Sequence, residues 1–272
     1  MQKFLRSIQT LFPFLHDTRF SLKMKMIAWT KKPHELDFVA VKQFKPKSDE
    51  VFVDIGSNRG EAISSMRATA SSQIKIIGFE PNPLIFKKLK KLFKEDQNIE
   101  LHNCGLGNTS TTLPLYIPFY RKWLFDGLSS FKYYEAENWL RTRLWAYNDH
   151  KLSIKEVACE IKRLDDFELK PYFIKIDVQG YEMEALQGSK NTLKAYQPIL
   201  LIESITDEIE RYLRGFGYEF YCFCKGKLSL GKGSLNTYCI GPEKAQELNL
   251  NYLNNNGKTE AFKDKKQNAQ AQ

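Results

Sequence analysis

Long apolar runs are missing from this chain. Nowhere do 18 apolar residues follow one another, and the first twenty, MQKFLRSIQTLFPFLHDTRF, hold neither an unbroken apolar core nor a small-residue cleavage site. A membrane-spanning helix and a secretory leader are therefore not expected. Cysteine is scarce too: Cys104, Cys159, Cys222, Cys224 and Cys239 form no CxxC pair and lack the histidine spacing of a zinc site. A chain of 272 residues with 42% hydrophobic content can build a core without disulfide staples, so reduced thiols and a cytoplasmic setting are expected. Acidic residues fall short of basic ones, 32 against 41, for a formal charge of +9. That imbalance favours anionic surfaces without choosing among lipid headgroups, glycan phosphates and nucleic acid. Oligomeric state is not legible from it.

From residue 50 onward strand-like and helix-like segments alternate, which predicts an α/β fold: a Rossmann-like, doubly wound, mostly parallel sheet with helices on both faces. The runs VFVDIG, IKIIGFE, FIKIDV and PILLIES are rich in Ile, Val and Phe, as strands buried on both faces are. Each ends in an acid, Asp54, Glu80, Asp177 or Glu203. Ligands of open α/β sheets bind beyond the carboxyl ends of strands, so these four acids mark the functional edge. In NPLIFKKLKKLFKE, the residues Ile85, Leu89, Leu92 and Phe93 repeat at helical spacing behind the N-cap Asn82. GYEMEALQGSKNTLKAYQP reads as a further helix.

The alternation breaks between residues 113 and 161, where three of the four tryptophans and many tyrosines and phenylalanines interleave with Arg121, Lys122, Lys132, Arg141 and Arg143. This insertion is expected to add a layer over one end of the sheet and to supply ring faces to an acceptor. Residues 1–45 are expected to be a helical segment packed on the domain, 46–242 the domain itself, and 243–272 a polar, disordered tail. Residues 3–15 mix Phe, Leu and Ile with Lys3 and Arg6, so a secondary expectation is peripheral contact with the inner membrane face.

VFVDIGSNRGEA carries the cofactor signal: a strand, a glycine turn, then a helix beginning near Arg59. Gly56 permits a sharp turn and Gly60 a close approach. Asn58 occupies the place where a dinucleotide fingerprint has the glycine that admits a pyrophosphate. Glu80 ends the next strand where an acid would hold ribose hydroxyls. A ribose without a pyrophosphate points to S-adenosylmethionine. The expected cofactor residues are Asp54, Gly56, Ser57, Asn58 and Gly60, then Glu80 and Pro81, then Asn103 and Cys104 of HNCGLGN, and Asp177. A dinucleotide-dependent oxidoreductase and a catalytically decayed binding module are the alternatives.

The segments HELDFVAVKQFKPKSDEVFVDIGSNRGEA, IIGFEPNPLIFKKLKKLF, HNCGLGN, GLSSF, EIKRLDDF and FIKIDVQGYEMEALQGSKNTL together resemble the FkbM-type methyltransferase family, over about His34 to Ile240. The resemblance implies a class I fold and an S-adenosylmethionine-dependent O-methyltransferase acting on hydroxyls of polyketides or glycans. The expected acceptor is a glycan, a lipid-linked sugar or a related small molecule. It departs from the family at Gln179, where Glu is common. The NPPY or DPPY-like tetrapeptide of an amino-group methylase is missing, the strand end reading IDVQ, so nucleic acid is not expected as a partner.

A hydroxyl acceptor needs a base. Asp177 is the first candidate, because the buried FIKI run before it is expected to desolvate it and raise its pKa; Glu182 is the second. A divalent cation held by Asp177 and Glu203 is the less favoured alternative, and no metal site is expected. His102 and His150 are weaker bases by context. Ser129 and Ser130 of GLSSF are candidates for contact with cofactor or acceptor, and no GxSxG elbow surrounds them.

Overall fold

Apolar runs too short for a helix become the strands of the sheet's centre. A computed structural model describes residues 13–145 and 147–250, together with Ser7, Thr10, Leu11 and the pairs 252–253 and 259–260. The chain runs through α1 (Pro13–Thr30), a 3-10 segment (Leu36–Gln43), β1 (Val51–Ile55), α2 (Glu61–Thr69), β2 (Ile76–Phe79), α3 (Pro83–Leu92), β3 (Ile99–His102) and β4 (Gly105–Leu106). The insertion follows as β5 (Thr111–Tyr120), β6 (Trp123–Leu124), α4 (Tyr133–Asn138) and β7 (Leu152–Lys162). Then come β8 (Pro171–Ile176), α5 (Glu182–Gln187), α6 (Lys190–Tyr196), β9 (Ile199–Glu203) and α7 (Asp207–Arg214). The chain continues through β10 (Glu219–Cys224), β11 (Lys227–Leu230), β12 (Asn236–Ile240) and α8 (Pro242–Glu247).

The main sheet is ordered β11-β10-β12-β9-β8-β1-β2-β3. From β3 across to β9 neighbouring strands are parallel; β12 runs against β9, and β10 and β11 reverse in turn. The order reverses between β1 and β8, and it is there that a crevice opens above the carboxyl ends. Alternate residues feed two cores. Val53, Ile55, Ile174, Ile176 and Ile202 pack with Leu186, Leu193 and Leu213 on one face; Phe52, Phe173 and Leu201 pack with Phe38, Ile63, Met66 and Leu89 on the other.

In α3 the Asn82 side chain accepts from Leu84 N–H at 3.0 Å, and Ile85 and Leu89 are buried. Leu92, expected in the same stripe, is instead exposed because the helix ends there. The single helix expected over residues 180–198 is two. Gly188 passes so close to the Gly107 carbonyl that a Cβ would lie 1.8 Å from its oxygen, and the Asp165 carboxylate starts α6 by accepting from the Asn191 and Thr192 N–H groups. The insertion folds as a second sheet, β4-β7-β5-β6, built on a ten-pair antiparallel ladder between β5 and β7. Packing continues past residue 242, the expected edge of the domain: α8 buries Ala245 against the sheet. Leu248 and Leu250 also pack on this core, while most of the expected tail beyond residue 250 and most of residues 3–15 lie outside the described residues.

Candidate functional site

Strand ends β1, β2 and β8 and the insertion enclose a cleft of about 630 Å³, part of it open to solvent. Its walls mix apolar Ile55, Phe79, Leu106, Leu115 and Phe131 with polar Asn58, Glu80, Asp126, Asp177 and Gln179. The turn after β1 is forced close to β8: Gly56 has φ +86°, and a Cβ there would fall 1.9 Å from the Asp177 carbonyl oxygen. Asn58 also takes a left-handed φ of +46°, which Asn tolerates better than most residues. Its N–H donates to Glu80 Oε2 at 2.7 Å, while its own Oδ1 is buried without a partner. Gly60 serves packing rather than the cleft, since a Cβ would strike Phe93 of the α3 terminus at 2.5 Å. Ser57 is buried and donates to the Asp54 carbonyl at 3.0 Å.

Glu80 ends β2 with both oxygens engaged by backbone, Oε2 by Asn58 and Oε1 by Asn82 N–H at 2.8 Å. Each oxygen keeps a second lone pair for a ligand hydroxyl. Burial pushes the Glu80 carboxyl up to about 7 against the pull of those N–H groups. Pro81 and Cys104 line the cleft, and burial raises the Cys104 thiol to about 11. Asn103 is placed otherwise than expected. Its amide donates to the carbonyls of Glu80 and Pro81, at 2.8 and 3.3 Å, so it braces the β2–α3 loop.

Asp54 is also placed differently. It is fully buried on the core side of β1, outside the cleft lining, with neither carboxylate oxygen hydrogen-bonded. Burial raises it to about 6, with the charge of Lys175 acting against that. Lys175 is the cross-strand neighbour of Asp54, is itself buried, and donates to Asp177 Oδ2 at 2.8 Å. Burial pushes the Asp177 carboxyl up as expected, but the Lys175 charge and hydrogen bonds with Glu203, Lys175 and Gln179 outweigh it and hold Asp177 below the usual carboxylate value. The raised member of the pair is Glu203, driven up by burial and by sharing a proton with Asp177. The expectation of a raised Asp177 is thus reversed, because the Lys175 charge and the hydrogen bonds around the carboxylate together outweigh desolvation.

Gln179, at φ +51°, donates from Nε2 to Asp177 Oδ1 at 2.7 Å. Glu182 accepts from the N–H groups of Val178 and Gly180 at 3.2 and 3.1 Å, which makes it a clasp for the Asp177 loop. A second recess opens on the other side of Asp177, lined by Ser130, Tyr134, Asn138, Trp139, Ser204 and Thr206 among others. Asp177 and Gln179 border both spaces. Ser129 reaches the cleft and Ser130 the recess. His102 stacks on Phe79 and pairs with Glu100 away from the cleft lining, and His150 is exposed in a 3-10 turn. Among the described residues no three His, Cys, Asp or Glu side chains are grouped to hold a metal ion.

Lys175, Asp126 and Tyr181 escaped the sequence reading, while Phe131, one of the insertion's rings expected for an acceptor, lines the cleft. Lys175 had a usable signal, a lone cation inside FIKI, a run otherwise apolar at both parities. Asp126 pairs with buried Arg59, which also bonds Asp17 of α1 at 2.6 Å and so ties the insertion and α1 to the turn after β1.

Comparison with known proteins agrees with this geometry. The chain is 31% identical over 156 residues to Methyltransferase 1 of Beauveria bassiana, covering 52% of this chain and 58% of that relative. It is 26% identical over 174 residues to hexuronic acid methyltransferase AglP of Haloferax volcanii, covering 61% of each. The chain thus spans about three fifths of the length of these relatives. Among solved structures, the methyltransferase FkbM of Methylobacillus flagellatus KT superposes with a TM-score of 0.50 at 15% identity, over 76% of this chain and 48% of that one, a likeness of fold. The family model for the methyltransferase FkbM domain matches residues 54–220, more than half of the 272, and the chain belongs to the FkbM methyltransferase family.

Proposed function

We propose that this chain methylates a hydroxyl group on a sugar-bearing acceptor, with S-adenosylmethionine as donor and Asp177 as the base. The observation that carries the reading is that one carboxylate, held ionised by Lys175, borders both the cleft and the recess. The cleft suits the donor. Phe79, Leu106, Leu115 and Phe131 offer an apolar wall to a purine, Glu80 offers lone pairs to a ribose diol, and the buried, unpartnered Oδ1 of Asn58 fits a ligand N–H or O–H. The anionic Asp177 favours a cationic ligand. S-adenosylmethionine, when bound, supplies a methyl carbon activated by its sulfonium.

What remains for the protein is to orient, to exclude water and to take a proton. Asp177 takes the acceptor proton on its carboxylate, since a neutral hydroxyl is a poor nucleophile. Lys175 favours the charged form of that carboxylate, while burial and the neighbouring Asp177 push the Glu203 carboxyl up, which favours its holding a proton. The Gln179 amide donates where a carboxylate would repel Asp177. Glu182 fixes the loop through its two N–H acceptor bonds. In the recess, Tyr134 and Trp139 present rings for the C–H face of a sugar, and Ser130, Asn138, Ser204 and Thr206 offer polar groups to its hydroxyls. A relative named for hexuronic acid methylation supports a sugar acceptor. A carboxylate acceptor would need no base, so the ionised Asp177 favours ether over ester formation.

The test is methyl transfer from isotopically labelled S-adenosylmethionine to a panel of neutral and uronic-acid glycans. An alkali-stable methyl ether, lost with Asp177→Asn, is expected; an alkali-labile ester, or no product from any sugar, would overturn the acceptor reading.

A further inference from the structure

α1 carries two apolar stripes on opposite sides. With about 100° between successive helical residues, Phe20, Met24 and Ile27 fall together on one side. Met24 and Ile27 are buried there, Ser64 of α2 touches the Met24 sulfur, and Lys23 pairs with Glu61 at 2.7 Å. This stripe fastens the helix to the domain. Leu22, Met26 and Trp29 lie at the same spacing on the far side and are 59%, 53% and 86% exposed. Among the described residues these three side chains have no packing role that would account for their size and position.

Charge identifies what the outer stripe meets. Arg19 and Lys23 flank it along one edge and Lys25 along the other, Lys31 and Lys32 follow, and no acidic residue occurs from Thr18 to His34. An apolar stripe with basic borders and a tryptophan near its end is what an anionic bilayer surface accommodates, rings and methyls at the acyl boundary and cations at the phosphates. A second copy of the chain fits less well, because a two-fold contact through this stripe would bring two sets of basic borders together.

We infer that the Leu22, Met26 and Trp29 face of α1 docks the protein on an anionic lipid surface. Residues 3–15, where membrane contact was expected from the sequence, are not needed for this. Arg59, bonded to Asp17 of α1, links the docked helix to the turn after β1, so docking also sets how the cleft faces the lipid. The inference does not depend on the acceptor proposed above.

Its test needs no substrate. The full chain is sedimented with phosphatidylcholine vesicles with and without phosphatidylglycerol, at low and high salt, beside a variant carrying Leu22→Ser, Met26→Ser and Trp29→Ser. The account expects binding to the phosphatidylglycerol vesicles, weakened by salt and reduced about 10-fold or more in the variant. A Trp29→Ser single variant with an unchanged circular dichroism melt gives the same reading if the triple variant is poorly folded. Equal binding by wild type and folded variant, or no binding by wild type at low salt, overturns the inference. So does a wild-type dimer that the variant converts to monomer without vesicle binding, which would assign the stripe to a second copy.

Discussion

Lys175 stands among Asp54, Asp177 and Glu203, and the electrostatics of the site turn on it. Replacing it with Met leaves buried carboxyls without a cation, and breaking a buried pair in this way costs about 3–5 kcal/mol. The prediction for Lys175→Met is a loss of that order in denaturant unfolding, with the acid limb of the kcat/KM profile moved to higher pH as Asp177 becomes harder to ionise; Lys175→Arg recovers part of both. An unmoved limb would show that Lys175 does not govern the base. Asp177→Asn tests the base itself, with an expected fall in kcat of about 10²–10⁴ and donor affinity changed only a few-fold. At this scale the sequence was informative about strand-end acids, because position at a carboxyl end follows from alternation alone. It misjudged which carboxyl stays charged, expecting a raised Asp177, since the outcome depends on Lys175 lying across from Asp54 in a neighbouring strand and bonding Asp177.

Between β1 and α2, the turn has to pass against the Asp177 carbonyl, and only the absence of a side chain at position 56 permits it. Gly56→Ala combines a left-handed φ with that clash, so a loss of about 3 kcal/mol or more in unfolding free energy is expected, with weakened donor binding. A variant as stable as wild type would contradict the described packing. The strands β1, β2, β8 and β9 and the helix α3 were readable because their patterns are local. The insertion was not, and its prolines explain why. Pro114 and Pro118 argue against a strand, yet β5 tolerates them because its outer edge is paired only in places, by β6 at Phe119 and Tyr120 and by Ser130 at Tyr116, and neither pairing needs an N–H from a proline. The break between α5 and α6 was equally hidden, since it answers to the distant Gly107 carbonyl.

Buried carboxyls near the cleft give the whole molecule a pH dependence. Asp54 rises from 3.8 to about 6 and Glu80 from 4.5 to about 7, both chiefly through burial. The folded state therefore keeps protons that the unfolded chain has released. Their contribution to stability is full below the unfolded values and is lost as pH climbs through about 6 and 7. At about 1.4 kcal/mol per pH unit of displacement, Glu80 alone accounts for a loss on the order of 3 kcal/mol between about pH 4.5 and 7.5. Urea unfolding across that range should show stability declining with pH in wild type and a shallower decline in Glu80→Gln. Stability that is flat or rising in wild type would contradict the burial of these two groups.

The central claim is that the crevice at β1 and β8 binds S-adenosylmethionine against Glu80. Isothermal titration of the full chain, beside Glu80→Ala and Asp177→Asn, tests it most directly. The account predicts saturable binding to wild type, at least 10-fold weaker in Glu80→Ala and changed only a few-fold in Asp177→Asn. No binding by folded wild type, or equal affinity in Glu80→Ala, would contradict it.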